Sequence, residues 1–507
     1  MGEEKSVQHN GGGGDICPTG IEGLDDVLAG GLPRNSLYLV QGEPGSGKTT
    51  LALQFLLEGM RRGEAVYYIT LSETRWELQK TARSHGWSLE KMPMLELSDL
   101  EVLTRPEAQT IFHSSELELN QLSQRLLEEV RKLQPRRIVF DSLSEFRLMA
   151  ESPLRYRRHI LSLKQEYAKY KSTVLLLDDN TDETRIGSDP HVQSIAHGAI
   201  ELAQDTPDYG ITRRRMRVRK LRGVKFREGF HDFSIVKGGL RVFPRLVAAE
   251  HHARFDHKPR PSGIKELDDL LGGGLDYGTT TLILGQAGTG KTSIALHYAV
   301  QMARQGELSA LFTFDETLNV LRARAEELGL NMEKLFAKGQ IIVQQVDPAE
   351  LSPGEFANRI IGLVRSGCKM VVIDSLNGYL NSMPGEKYLN NQLHELSSYL
   401  NQQGVVTVFI LAQHGLLAAA EAPVDISYLA DTVVNLRFFE AAGSVKQAIA
   451  VIKKRSGRHE RTIREFRLET GGIRVGPPLQ EFQGILSGTP VFHGDAHQIL
   501  SPTDAVH

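Results

Sequence analysis

Gly42-Glu43-Pro44-Gly45-Ser46-Gly47-Lys48-Thr49 is the stretch from which the rest of the chain is read. It fits the G-x-x-x-x-G-K-[ST] pattern in full, follows an apolar run (Ser36–Val40) and opens a helix-like stretch (Thr50–Phe55). Strand, glycine loop and helix in that order make a phosphate cradle. The glycines let backbone N–H groups turn toward phosphate oxygens, and the helix N-terminus adds a favourable dipole. The pattern recurs as Gly285-Gln286-Ala287-Gly288-Thr289-Gly290-Lys291-Thr292, between the apolar run Thr280–Leu284 and the helix-like Ser293–Tyr298. An incidental lysine in a glycine-rich turn would not repeat in the same setting. Gly45, Ser46, Gly47, Lys48, Thr49 and Thr50 are therefore expected on the phosphates of one nucleoside triphosphate. Gly288, Thr289, Gly290, Lys291, Thr292 and Ser293 are expected on those of another. Lys48 and Lys291 would reach the β- and γ-phosphates, and Thr49 and Thr292 would ligate Mg²⁺.

The two loops belong to a longer repeat. Thr19–Asp26 (TGIEGLDD) returns as Ser262–Asp269 (SGIKELDD), and Gly30-Gly31-Leu32 as Gly273-Gly274-Leu275. Lys48 and Lys291 lie 243 residues apart, as do Glu73 and Glu316; Asp141 and Asp374 lie 233 apart, as do Lys220 and Lys453. One length change of ten residues between Glu73 and Asp141 reconciles these offsets. A repeat of this length is a duplicated domain. Apolar runs alternating with helical stretches make each copy an α/β domain with a mostly parallel sheet flanked by helices.

The boundaries read as a flexible N-terminus over 1–15, a first domain over 16–246, a linker over 247–261, a second domain over 262–489 and a flexible tail over 490–507. The linker carries His251, His252 and His257 without metal-ligand spacing. Apolar residues at 40% suffice for two cores, and a formal net charge of −3 gives no global pull toward nucleic acid or membrane. No apolar run approaches the roughly 20 residues that cross a bilayer, and Met1-Gly2-Glu3-Glu4-Lys5 has no signal-peptide core. Cys17 and Cys368 sit in different halves and read as ordinary thiols. The expectation is a cytoplasmic protein that does not enter the membrane.

Active groups of such sheets gather at the strands' carboxyl ends. Arg137–Asp141 and Met370–Asp374 are apolar strands that end in aspartate, the Walker B arrangement that orders Mg²⁺. Leu71-Ser72-Glu73-Thr74 and Phe314-Asp315-Glu316-Thr317 close the preceding strand. Hydrolysis needs a carboxylate to orient water against the γ-phosphate, and Glu73, Asp315 and Glu316 are the groups available. Against this, a carboxylate there could simply open a helix. Asn180 and Gln413 are either γ-phosphate sensors or helix caps.

Residues 213–227 hold nine cations and no carboxylate. A nucleic-acid groove, an edge strand guarded by charge, and a face turned to phosphates on a neighbouring subunit all fit that composition. Lys220 and Arg222 recur in the second half as Lys453 and Arg455, which favours the last for that pair.

The ordered set Thr19–Asp26, Gly30–Pro33, the P-loop, Glu73-Thr74, Ile138–Ser142, Lys220-Leu221-Arg222-Gly223 and Gly238–Pro244 resembles the KaiC family of circadian-clock ATPases. So does Gly471–Pro478 followed by Phe482–Pro490. The resemblance covers about residues 16–490. It implies two tandem RecA-like domains, a double-ringed homo-hexamer with ATP between subunits, slow hydrolysis, autokinase activity in the C-terminal ring, and regulatory protein partners. It places Lys220, Leu221, Arg222, Lys453, Lys454 and Arg455 at a neighbour's nucleotide. It matches Ser72-Glu73 and Asp315-Glu316 to an adjacent glutamate pair, so the first glutamate is Ser72 here in one half and Asp315 in the other. The family's Ser-Thr phospho-acceptor pair before Asp431-Thr432 reads Ser427-Tyr428 here, leaving Ser427 as the candidate acceptor. Two other readings stand beside an ATP-driven signalling or clock-type switch: a DNA-dependent RecA- or helicase-like motor, and an ATP-binding scaffold without turnover.

Overall fold

The computed structural model describes residues 16–96, 114–150, 152–179, 190–207, 210–347, 349–381, 388–413, 427–441, 443–486 and 490–493. The sequence expectations for residues 1–15, for Asn180 and for the chain beyond 493 lie outside these. Two compact units divide the chain between Arg245 and Leu246.

In the first unit, β1 (Leu37–Gly42) runs into the P-loop and α1 (Lys48–Arg61). Then come β2 (Val66–Thr70), α2 (Arg75–Ser84), β3 (Met94–Glu96), α3 (Ser114–Leu133), β4 (Arg137–Asp141), α4 (Leu143–Met149), α5 (Pro153–Lys169) and β5 (Thr173–Asp179). The unit ends with β6 (Gly198–Asp205), β7 (Arg213–Leu221), β8 (His231–Val236) and β9 (Gly239–Phe243). They form one nine-stranded sheet in the order β9-β8-β7-β6-β1-β5-β4-β2-β3. The six strands from β6 to β3 are parallel and the last three in sequence are added antiparallel.

The central positions of the parallel strands are mostly apolar, with polar residues concentrated at the strand ends, because both faces are covered. Tyr38 and Val40 pack with Leu51 and Phe55 of α1 on one face. Leu37 and Leu39 pack with Phe146 of α4 and Ile160 of α5 on the other. This is the period-two side-chain alternation of a strand with a core on each side.

The second unit repeats the plan. β10 (Thr280–Gly285) leads to α6 (Lys291–Arg304), β11 (Leu308–Thr313), α7 (Leu318–Glu327), β12 (Ile341–Gln345), β13 (Cys368–Asp374) and β14 (Val406–Ala412). β15 (Thr432–Ala441), β16 (Ser444–Lys454), β17 (Ile463–Glu469) and β18 (Gly472–Pro478) complete it. The order is β12-β11-β13-β14-β10-β15-β16-β17-β18, the same topology as the first sheet. In both units the P-loop strand lies at the centre, between two strands that come much later in sequence. That reversal of strand order is the crevice where such sheets take ligands.

Three local features differ from a plain reading of the sequence. Residues 247–261 pack onto the second unit: Ala248 is buried in its core, and the Phe255 ring fills the space a side chain at Gly278 or Gly404 would need. Val491–Phe492 pairs with Phe482–Gln483, with the Phe482 and Phe492 rings 5.0 Å apart, so order extends into the first residues of the expected tail. The arginine-rich β7 is an interior strand between β6 and β8, not an edge.

Candidate functional site

Each P-loop is shaped by glycines where L-residues are strained. Gly45 and Gly47 have φ of +79° and +103°, and Gly288 and Gly290 have φ of +81° and +93°. Gly42 owes its identity to close approach instead: a Cβ there would stand 2.6 Å from both the Leu202 carbonyl oxygen and Ser46 Oγ. Helices α1 and α6 begin directly at Lys48 and Lys291, and no side chain caps either N-terminus. Their first backbone N–H groups are thus left to a ligand, and the positive dipole end favours an anion. The loops fit phosphate.

In the first site the Lys48 ammonium donates to the carbonyls of Gly42 (3.0 Å) and Glu43 (2.9 Å) and is ion-paired with Asp179 at 2.7 Å. Thr49 Oγ1 faces Asp141 Oδ2 at 3.4 Å, and the Tyr68 hydroxyl donates to the same carboxylate oxygen at 2.6 Å. In the second site Lys291 donates to the Gln286 carbonyl at 2.6 Å, and Thr292 Oγ1 donates to Asp374 Oδ2 at 2.6 Å. Burial raises the carboxyl groups of Asp141 and Asp374 above the ordinary range and lowers the Lys291 ammonium. Such a hydroxyl–carboxylate pair offers two oxygens to a cation. Among the described residues no three His, Cys, Asp or Glu side chains converge as a self-sufficient metal site. Mg²⁺ held here would therefore take further oxygens from phosphate and water, its usual habit.

The carboxylates after β2 and β11 sit in matching turns. Thr70 Oγ1 donates to the Glu73 carbonyl at 2.6 Å, and Thr313 Oγ1 donates likewise to that of Glu316. The N-cap of α2 is Thr74, and the carboxylate that completes its reciprocal capping box is Glu77, in the first turn. Glu73 is therefore not the helix-opening carboxylate that one reading of the sequence allowed. Its Oε2 is buried and makes no hydrogen bond among the described residues. Burial, then the Asp141 charge, pushes its carboxyl up to about 7. Glu316 differs, being gripped by Arg324 in a two-pronged pair of 2.7 and 2.9 Å. Asp315 accepts a hydrogen bond from Ser375 Oγ. Sequence offers no repeat signal for Arg324, because its counterpart in the first half is Thr81.

Lys220, Leu221 and Arg222 lie where β7 meets the amino-terminal end of β6, and Lys453 and Lys454 sit likewise on β16, with Arg455 just beyond. Lys220 is level with Leu39, three residues short of Gly42 and two strands across; along the strand axis that is roughly 10 Å. Its ammonium donates to the carbonyls of Gln193 and Ala196, and Lys453 donates to that of Ala430. Arg455 faces Asp431 at 3.5 Å. Leu221 is buried in the core, and Lys454 turns inward to Asp276 and the carbonyls of Leu271 and Gly274. None of these side chains points at the P-loop of its own unit.

The remaining cations of β7 are largely matched. Arg217 and Arg219 both pair with Glu201, and the Arg217 guanidinium lies 4.6 Å from the Phe230 ring centre. Gln413 contributes a backbone N–H to the Gly285 carbonyl at 3.0 Å. Ser427 opens the single turn Ser427–Leu429; its side chain lies outside the described residues. Among the described residues no helix is long and apolar enough to cross a membrane.

A family model described as "ATPase: KaiC" matches residues 17–247 and again residues 260–480. The circadian clock oscillator protein KaiC of Thermostichus vulcanus is 28% identical over 480 residues, covering 93% of this chain and 91% of that protein. The protein of the same name from Acaryochloris marina is 26% identical over 480 residues, covering 93% and 90%. Circadian clock protein KaiC3 of Synechocystis is 27% identical over 478 residues, covering 94% of each.

Proposed function

Because the chain belongs to the KaiC family of ATPases, we propose that it holds Mg²⁺-ATP at both P-loops, hydrolyses it slowly, and uses the nucleotide state as a switch read by protein partners. The observation that supports this is the duplicated set of a P-loop lysine and threonine with an aspartate at the neighbouring strand end, 3.4 Å from the threonine hydroxyl in one copy and 2.6 Å in the other. Lys48 and Lys291 bind the phosphates. Thr49 with Asp141, and Thr292 with Asp374, hold the metal, which neutralises charge developing on the transferred phosphoryl group. Glu73 in the first domain and the Asp315–Glu316 pair in the second orient the attacking water. Ser72 does not disable the first domain in this reading, since Glu73 has a free, buried carboxylate oxygen for the task.

In the second domain the same chemistry extends to autophosphorylation. The Ser427 hydroxyl oxygen bonds to the γ-phosphorus, the bond to ADP breaks, and the hydroxyl proton passes to a carboxylate. With Tyr428 where the family pattern has threonine, the phosphorylation cycle has one site. The placement of Lys220, Arg222, Lys453 and Arg455 away from their own P-loops supports a homo-hexamer in which they face a neighbour's nucleotide.

The test is to incubate the full chain with Mg²⁺ and γ-labelled ATP and follow the label. Label on the chain that disappears in Ser427→Ala supports the single-site autokinase. Label found only as free phosphate leaves an ATPase switch without kinase activity, and negligible release with intact binding leaves a scaffold. Stimulation by single-stranded DNA would instead favour the motor reading.

A further inference from the structure

Resting on the reading that both P-loops bind ATP, we propose that Asp179 is a positioning residue that holds Lys48 against incoming phosphate, so that the first site fills only at higher ATP than the second. Asp179 is the last residue of β5, directly across from Gly42 where β1 enters the P-loop. That register sets its carboxylate beside the one side chain a triphosphate needs most, and the two charges meet at 2.7 Å. The Lys48 side chain is 8% exposed and that of Asp179 29%, so water screens the pair only in part.

The second site has the same backbone without the lock. Ala412 ends β14 in the identical register, across from Gly285. Lys291 makes no ion pair among the described residues and donates only to a backbone carbonyl at 2.6 Å. The difference reaches one position back: Asp178 pairs with Arg147 and accepts from Gln41, where the second half has Leu411, Leu380 and Leu284. A polar network thus holds the end of β5 in place, and Asp179 is kept where it is. ATP entering the first site must break the Lys48–Asp179 pair and bring its own negative charge next to the displaced carboxylate. Neither step is required at the second.

The experiment is a titration of the full chain with a fluorescent ATP analogue and Mg²⁺. Lys291→Ala reports on the first site alone and Lys48→Ala on the second. The first site is expected to bind about tenfold more weakly, since a single like-charge neighbour is commonly worth that order. Asp179→Asn is expected to tighten the first site about tenfold and leave the second unchanged, whereas Asp179→Glu keeps the weak affinity. Loss of structure would not produce a gain in affinity, so the direction separates positioning from support. Should Asp179→Asn fail to fold, Ala412→Asp transplants the carboxylate and is expected to weaken the second site about tenfold. A first site that binds as tightly as the second, or an Asp179→Asn variant whose first-site affinity is unchanged or weaker, overturns the proposal. Undiminished binding by the Lys48→Ala/Lys291→Ala double variant would overturn the ATP-site reading itself.

Discussion

The two halves of this chain share a frame and differ in how each holds the groups proposed for catalysis. In the first, Glu73 keeps a buried oxygen that makes no hydrogen bond among the described residues and a carboxyl raised to about 7, while the P-loop lysine is bound to Asp179. In the second, Glu316 is clamped by Arg324 and Asp315 by Ser375, while among the described residues the P-loop lysine has only a carbonyl partner. Duplication preserved what phosphate and metal require, namely the positive-φ glycines, the lysine, the threonine and the strand-end aspartate. It left the proposed water-activating carboxylate and the counter-ion of the lysine to diverge. The lesson is that ligand contact constrains the backbone and its hydroxyls tightly, whereas proton handling has several local solutions.

The comparison breaks at once if the lysines are not equivalent. Lys48→Ala and Lys291→Ala should each abolish turnover at their own site, and the double variant should lower phosphate release by at least about 10²-fold. If one single variant alone removes all turnover, the other domain is a binding site rather than an ATPase.

Glu73→Gln, read in the Lys291→Ala background, should cut first-site turnover by about 10²-fold with ATP-analogue binding retained. The pH profile sharpens the point. A carboxyl raised to about 7 is protonated and inactive as a base at pH 6 and ionised at pH 8. First-site turnover should therefore climb between those values with a midpoint near or below 7, and Glu73→Gln should flatten the climb. The linkage to stability runs opposite to that of a salt-bridged carboxylate. The fold favours protonated Glu73, so the stability it contributes is present at low pH and is lost as pH rises through about 7.

Arg324→Ala should bring the second site closer to the first. Freed from its two-pronged partner, Glu316 loses orientation, and second-site turnover should fall by about tenfold, measured in the Lys48→Ala background. An unchanged rate would show that the Arg324 clamp serves the fold alone.

Much of this was legible in the sequence, for definite reasons. The P-loops, the strand-end aspartates Asp141 and Asp374 and the doubled sheet follow from short motifs whose geometry is fixed by backbone chemistry, and the repeat offset checks each against its copy. What stayed hidden lies off those motifs. Asp179 ends an apolar run without any pattern of its own, and only the alignment of β5 with β1 brings it to Lys48. Arg324 has no counterpart in the first half, so the repeat cannot flag it. The basic run of β7 stayed open among a groove, a guarded edge and a face to a neighbour's phosphates because its partners, Glu201 on β6 and Phe230 before β8, carry no motif that marks them as such.

The smallest expected difference lies in the loops themselves. Gly47 and Gly290 occupy the same position and the same left-handed conformation, so alanine at either incurs the backbone strain of an L-residue there, about 1–2 kcal/mol. Their surroundings separate them. A Cβ at Gly47 meets the side-chain ends of Ile235 and Leu240 at 2.8 and 3.1 Å, which can rotate aside. A Cβ at Gly290 meets the Phe466 ring at 2.7 Å with Leu468 behind it, and Phe466 is fully buried. Overpacking against a ring that cannot move adds roughly 1–3 kcal/mol. Calorimetric scans should accordingly show Gly290→Ala lowering the melting of its unit further than Gly47→Ala does. Equal shifts would mean that Phe466 yields as readily as an isoleucine tip, and that the two P-loops are packed alike after all.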